Sequence, residues 1–491
     1  QAAVISSLWR YQTARFQQTL LARRRILQDA SCSLLQMTLV FSTGSLSRWT
    51  TASTRVPITN SAAHKPPEAE QNWYRWYVLA LLTLVSMFSI ADRLVFAILL
   101  EDIKAEFSFS DGEIGLLGGL AFAATYVIVG FPAARLADRS VRRTIVAGAI
   151  TFWSAMTALC GLATGFWSLF LARTGVGVGE GCSGPASQSL VADYFRREEL
   201  AKAMGFLTIG ASMGTAGGLL VGGQLNELFG WRWAFVLMGA PGMLIGGLVW
   251  LTMREPRRGR YAPVDASIEQ RPLIETTREL TRNRVFMGLA IGWAVQIMIG
   301  YALAFWMAAV MIRNFGISSG EVGLYLGLAF FVGGIPGPIL GGYVAQWLTR
   351  RDERWRAWMP GMVSLGCLVP LGMSLSSSAF WPFLILFALS YAIYVASQAP
   401  ILSGIQAAVE PNQRGFAVAI ALFCNNLVGQ ALGLAVIGVL SDWLEPSLGA
   451  VSLTISVFTV CLVSGALAMA IFAWTASQMQ PSGYLERIES T

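Results

Sequence analysis

The sequence predicts an all-α integral membrane protein of twelve transmembrane helices in two pseudo-symmetric six-helix bundles. Three observations carry that expectation. Of 491 residues, 55% are hydrophobic and only 13% are charged, against about 25% charged in a soluble domain; folded in water, such a chain would expose large apolar patches. Apolar runs of roughly 20 residues, the length that crosses a bilayer, recur twelve times. Finally, "ARLADRSVRR" (134–143) returns in altered form as "GYVAQWLTRR" (342–351), 208 residues further on, and duplicated six-helix units mark several transporter architectures.

In chain order, residues 1–72 come first. They are basic, with Asp29, Glu68 and Glu70 as their acids, and the apolar run 33–41 is too short to span. They read as a disordered extension without function, a start upstream of the native one being favoured over a targeting peptide. The N-terminal bundle follows at 73–254, with spans at about 76–100, 112–134, 143–163, 166–190, 201–228 and 232–253. Residues 255–284 are too polar to span and too few to fold alone, so they read as a linker with one amphipathic helix. The C-terminal bundle occupies 285–476, with spans at about 285–311, 321–348, 358–376, 379–407, 416–441 and 449–475, and 477–491 form a tail. Loops on the side of the linker hold about 21 Lys/Arg, and the opposite loops hold Lys104, Arg232 and Arg313. By the positive-inside rule the linker and both termini are cytoplasmic. Thirty-two arginines against three lysines suggest a GC-rich genome and a bacterial inner membrane.

The composition also excludes chemistry. One histidine, His64, rules out zinc or haem sites built on histidine. The six cysteines are far apart and five of them fall in apolar runs, as small packing residues do. The net charge of +7 sits in short loops, where topology rather than nucleic acid explains it. No cofactor and no metal are expected; the expected partners are membrane lipids, protons and the cargo of a monomer.

Against this background four charges stand out. Each would cost roughly 2.5–3.5 kcal/mol in the hydrocarbon core unless it faced a wet cavity or another charge. Asp92 and Arg93 lie deep in the first span, and Arg173 and Glu180 lie in the fourth, seven residues and about 10 Å apart. The bland alternative is a pair of fold-holding ion pairs, Asp92–Arg93 and Arg173–Glu180. The functional reading makes Glu180, shared with Asp92, the proton-coupling group, because a poorly solvated carboxylate takes up a proton readily. Arg93 and Arg173 then bind an anionic substrate group. At the 208-residue offset the second bundle has lost all four charges. It offers Gln296, Tyr301, Trp306, Tyr391, Tyr394, Gln398, Asn425 and Asn426 instead. A charged wall facing an aromatic and amide wall suits an amphiphile with a polar head.

The segment 134–143 resembles the G-x-L-A-D-R-x-G-R-R loop of the major facilitator superfamily, departing from it at Ala134 and Val141. The resemblance extends over about 73–476 and implies that superfamily's fold. A narrower resemblance, to the spinster-like branch, rests on "ADRLVFAILLEDIKAEF" (91–107) and "ARTGVGVGEGCSGPASQSLVADYF" (172–195). It implies secondary transport by alternating access, proton-coupled, of an amphiphilic anion such as a lysophospholipid or sphingoid phosphate. It also implies that Asp138 latches one state on a helix N-terminus near Gly415, with Arg139, Arg142 and Arg143 beside it; the bland alternative for these arginines is topological anchoring.

The glycines at 175, 177, 179, 181 and 184 lie inside a span with no preceding strand, which argues for close helix packing and against a nucleotide loop. In the fifth span Gly210, Gly214, Gly218 and Gly222 recur at every fourth position, and Thr215 stands where superfamily antiporters carry proline. Uptake of a small organic anion is the alternative within the same class, and a receptor or scaffold with a transporter fold is the alternative outside it. An intramembrane enzyme would need a nucleophile with a base or a metal pair, which the spans do not supply.

Overall fold

A computed structural model describes residues 70–258, 260–261, 273–410 and 413–479. The expected disordered extension, the middle of the linker and the end of the tail fall outside the described residues. Every regular element among those described is helical. The first span is Glu70–Phe107; the second is Asp111–Gly118 continued as Leu120–Arg139. The third is Arg142–Cys160 and the fourth Phe166–Tyr194. The fifth and sixth form one run, Arg197–Thr252, that folds back at Gly230, where φ is 80°. That left-handed conformation is open to glycine at no steric cost. The linker contributes the helix Leu273–Arg282.

In the second half the seventh span is Arg284–Tyr301, a π-helical turn Ala302–Trp306, and Met307–Phe315. The eighth is Ser319–Gly334 and Pro336–Thr349, the ninth Trp355–Gly366 and Leu368–Leu375, and the tenth Phe380–Val395 and Gln398–Ala407. The eleventh runs Arg414–Cys424, a second π-turn Asn425–Leu432, and Gly433–Leu448, and the twelfth is Ser452–Gln478. The repeat extends to the helix caps. Ser110 and Glu113 form a capping box that starts the second span, and Ser318 and Glu321, 208 residues later, form one that starts the eighth. Each box satisfies two of the amide groups that a helix start leaves unpaired.

Lipid tails are as apolar as the side chains, so packing rather than water exclusion holds the spans together, and small residues carry it. Gly218 lies against the Ala91 backbone, with Gly210, Gly214 and Gly222 above and below it on the first span. The two halves share an apolar core only toward the face away from the linker. There residues 91–117, 160–172 and 219–238 pack with 299–330, 367–395 and 434–461. Phe96 and Phe305 stack across the seam at 5.8 Å. Toward the linker face each half keeps its own core, and among the described buried hydrophobic residues Ala431 alone crosses.

That far-face closure is also polar. Arg313 of the seventh span donates to Glu101 of the first at 2.7 Å and to Asp111 of the second at 2.7 and 2.8 Å. Both oxygens of Asp442, in the eleventh span, accept backbone N–H groups of Asp111 and Gly112 at 2.8 Å. Ser441 donates to Asp111 at 2.7 Å. On the other seam, Ser318 at the start of the eighth span donates to Glu227 of the fifth at 2.9 Å. Carboxylates from the ends of the eleventh and fifth spans thus meet the N-terminal ends of helices in the opposite half, where the backbone dipole favours negative charge.

Candidate functional site

Above the closed seam lies a cavity of about 280 Å³ walled by both halves. Arg93, Arg173 and Thr215 reach it from the first half, and Tyr301, Tyr391, Tyr394, Gln398 and Gln430 from the second. The π-turns of the seventh and eleventh spans flank it through Phe305 and Gln430. Such turns recur at functional sites because they re-aim side chains that a regular helix would direct elsewhere.

The four buried charges do not pair as neighbours in sequence. Asp92 and Arg93 are consecutive, and consecutive helical residues face different sides; Arg173 and Glu180 are two turns apart. Glu180 instead pairs across spans with Arg93, its Oε2 accepting from Arg93 Nε at 2.8 Å and lying 2.7 Å from a terminal guanidinium nitrogen. The same oxygen accepts from Ser89 at 2.7 Å, while Oε1 has no partner among the described residues. Arg93 also lies over the rings of Phe122 and Tyr126, at 4.5 and 5.0 Å. Asp92 is fully buried and accepts from Thr157 at 3.3 Å, its second oxygen unpaired.

Arg173 is the outlier. It is 1% exposed and rests on Phe96 at 4.6 Å and Phe122 at 5.6 Å. Its Nε has no hydrogen-bond partner, and it forms no ion pair with a described carboxylate. Aromatic faces recover part of the lost hydration of a guanidinium, and Asp92 and Glu180 lie near enough to attract it, yet with no carboxylate at ion-pair distance a buried cation lining a cavity has room for a further anion.

Six of the ten residues expected to bind substrate line this cavity: Arg93, Arg173, Tyr301, Tyr391, Tyr394 and Gln398. The other four sit elsewhere. Gln296 is buried in the second half, donating to Pro360 and Ser397. Trp306 is wholly enclosed in the core at the π-turn. Asn425 and Asn426 are buried beside the cavity, and Asn426 donates to the Leu422 carbonyl at 2.8 Å and faces Tyr301. Sequence reasoning missed Gln430 and Thr215, and it missed the partners Ser89 and Thr157. Ser89 was findable, since it stands four residues before Arg93 and so on the same helical face.

At the linker face the side chain of Asp138 falls outside the described residues, and Arg139 is exposed. Arg142 and Arg143 bond within their own half. Arg142 is 2% exposed and binds Asp193, Glu255 and Ser189, while Arg143 reaches the Met253 carbonyl. They fasten the third and fourth spans to the exit of the sixth.

Comparison with known proteins agrees with this architecture. The family model described as Major Facilitator Superfamily matches residues 81–434. An "MFS-type efflux pump" of Mycolicibacterium smegmatis is 34% identical over 382 residues, covering 77% of this chain and 87% of that one. "Protein spinster homolog 1" of Homo sapiens is 26% identical, covering 75% and 73%. The "Sphingosine-1-phosphate transporter SPNS2" of Xenopus tropicalis is 25% identical, covering 80% and 79%. Among solved structures, an inward-facing, unoccupied bacterial homolog of the human lysosomal transporter spinster superposes with a TM-score of 0.72 at 27% identity, covering 82% of this chain and 96% of that one.

Proposed function

The chain belongs to the spinster-like branch of the major facilitator superfamily, and from that premise we propose that it carries an amphiphilic anion, such as a lysophospholipid or sphingoid phosphate, by proton-coupled alternating access. The linker face is cytoplasmic in this reading, which the arginine-rich loops there support. A seam closed on the far side and separate cores toward the linker then correspond to the inward-open state.

The observation that carries the proposal is the Glu180–Arg93 pair bordering a cavity that is also lined by Arg173, which has no direct ion pair among the described residues. Ionised Glu180 occupies Arg93. A proton on Glu180 removes the charge that holds the guanidinium and frees it, beside Arg173, for the anionic group of the cargo. An arriving anion likewise displaces Glu180 and favours its protonation. Proton and anion therefore favour each other's binding, and by linkage the effect is reciprocal. Asp92, buried beside Thr157 with no ion pair to a described residue, is the second candidate for the shared proton.

The test is proton uptake on binding. In weakly buffered nanodiscs, adding an anionic lysolipid should raise the bulk pH, and Glu180→Gln should abolish that signal and pH-driven flux while the protein remains folded. Proton uptake persisting in Glu180→Gln would remove Glu180 from the mechanism. One observation favours the smaller cargo: about 280 Å³ lies just below the ~300–1,000 Å³ usual for ligand sites, enough for a short organic anion or for the head of a lipid whose tail trails out of the cavity. Tight binding of a short aromatic acid and none of lysolipid would select that alternative.

A further inference from the structure

The π-turn Asn425–Leu432 of the eleventh span places amides where an α-helix would not. Asn425 and Gln430 are five residues apart, the spacing of one i→i+5 turn; in an α-helix they would point about 140° apart. Gln430 is 3% exposed, and its Oε1 has no hydrogen-bond partner among the described residues; both amide atoms of Asn425 are likewise unpaired. Buried amides are ordinarily paired, because an unmade bond in a dry interior is destabilising. Gln430 differs from Asn425 in that it lines the cavity. Its position there is tightly set, since the backbone of Gly119 in the other half comes so near that a Cβ would lie 2.8 Å from the Gln430 carbonyl.

Gln398 supplies the complementary atom. Trp293 donates its indole N–H to Gln398 Oε1 at 2.9 Å. An indole nitrogen can only donate, so the amide orientation is fixed, and Nε2, the atom with no partner, is the one left over. The second half therefore lines the cavity with side chains that carry an unpaired acceptor and an unpaired donor, while the first half offers Arg93 and Arg173.

We infer that Gln430 is a specificity-determining residue whose amide oxygen accepts a hydrogen bond from a hydroxyl group carried by the substrate beside its anionic group. The inference rests on the anionic-amphiphile reading above and narrows its cargo. A hydroxyl supplies the donor that the Gln430 oxygen lacks, which an alkyl chain does not.

The experiment uses the full chain in nanodiscs and two probes of matched tail and linker, 1-palmitoyl-glycerol-3-phosphate, with one free hydroxyl, and 1-palmitoyl-propane-1,3-diol 3-phosphate, in which a hydrogen replaces that hydroxyl. The wild type should prefer the first by about tenfold, the value of one well-placed hydrogen bond. Gln430→Met should bring the ratio to about one while leaving the melting temperature of the ligand-free protein unchanged or raised, because an apolar isostere replaces an unpaired amide. A tenfold ratio retained in Gln430→Met, or a ligand-free melting temperature lowered by several degrees, overturns the inference; the latter would mean that the amide serves the fold. A wild type that binds both probes equally also sinks it and leaves the cargo reading standing. A wild type that binds neither removes both.

Discussion

Asp442→Asn is the substitution expected to reveal the far-face latch most cleanly. Both carboxylate oxygens accept N–H groups from the start of the second span at 2.8 Å, across the seam between the halves. An asparagine keeps one acceptor but turns an NH2 group toward the other backbone N–H, and it removes the charge that meets the helix dipole. A hydrogen bond to a charged group is worth about 1.5–3 kcal/mol and the dipole adds a few tenths in a half-exposed setting. The closed far face should therefore lose about 2–3 kcal/mol, a shift of roughly 30- to 150-fold in the equilibrium between the two states. A resting ratio of about 100:1 would fall to near parity. Spin labels at Leu162 and Trp381, exposed positions at the far ends of opposite halves, would report the change in a cysteine-free background in nanodiscs. The expected result is a second, longer distance population that the parent lacks. An unchanged distance distribution would refute the assignment of Asp442 to closure, since no other residue supplies those two bonds.

Three further outcomes follow from the same geometry. Arg173→Met should weaken anionic-probe binding by about tenfold or more while the protein stays folded, because no described carboxylate lies at ion-pair distance from it; unchanged affinity would remove Arg173 from the site. Arg142→Met should instead destabilise the fold, costing about 3–5 kcal/mol by leaving Asp193 and Glu255 without their shared cation, and thermal unfolding will show it. In a double-mutant cycle read by the same spin labels, Glu180→Gln and Arg313→Ala should be non-additive by 0.5 kcal/mol or more, although they touch different faces; additivity within ~0.3 kcal/mol would separate the buried pair from the latch.

Much of this molecule was legible as sequence because bilayer thickness imposes a length that composition alone reveals. The spans, the six-plus-six division and the repeat follow from runs of about 20 apolar residues and from the motif at 134–143. Asp92, Arg93, Arg173 and Glu180 were legible for a related reason, since a charge within a span is costly enough to demand a purpose. Their pairing was not. Whether Arg93 meets Asp92 or Glu180 depends on which faces of the first and fourth spans oppose each other, and that is set by packing of glycines against neighbouring backbones. Gln430 was hidden because an amide in a span is cheap enough to be unremarkable, and only the π-turn gives it an orientation toward the cavity. Arg142 looked like an anchor or a latch by position, whereas its burial among Asp193, Glu255 and Ser189 makes it a brace within one half.

The placement of the charges along the first span suggests why a proton could move the whole carrier. Arg93 and Glu101 lie on one continuous helix, eight residues and about 12 Å apart. One end of that stretch is held by Glu180 of the same half, the other by Arg313 of the opposite half. If Glu180 is protonated, the first span loses its strongest tie to the fourth but keeps its tie across the far face. If instead the cargo's anion takes Arg93, the tie is remade through a ligand that also touches the second half. A rigid helix carrying both contacts converts that exchange into a change in how firmly the seam is held, without any contiguous chain of side chains between them. The required bistable element is then the seam itself, where Asp442, Arg313 and Glu227 can be either engaged or parted. In the proposed mechanism coupling resides in the first span being shared by both equilibria: the four charges sit in spans one and four, and the latch is built from spans one, two, five, seven, eight and eleven.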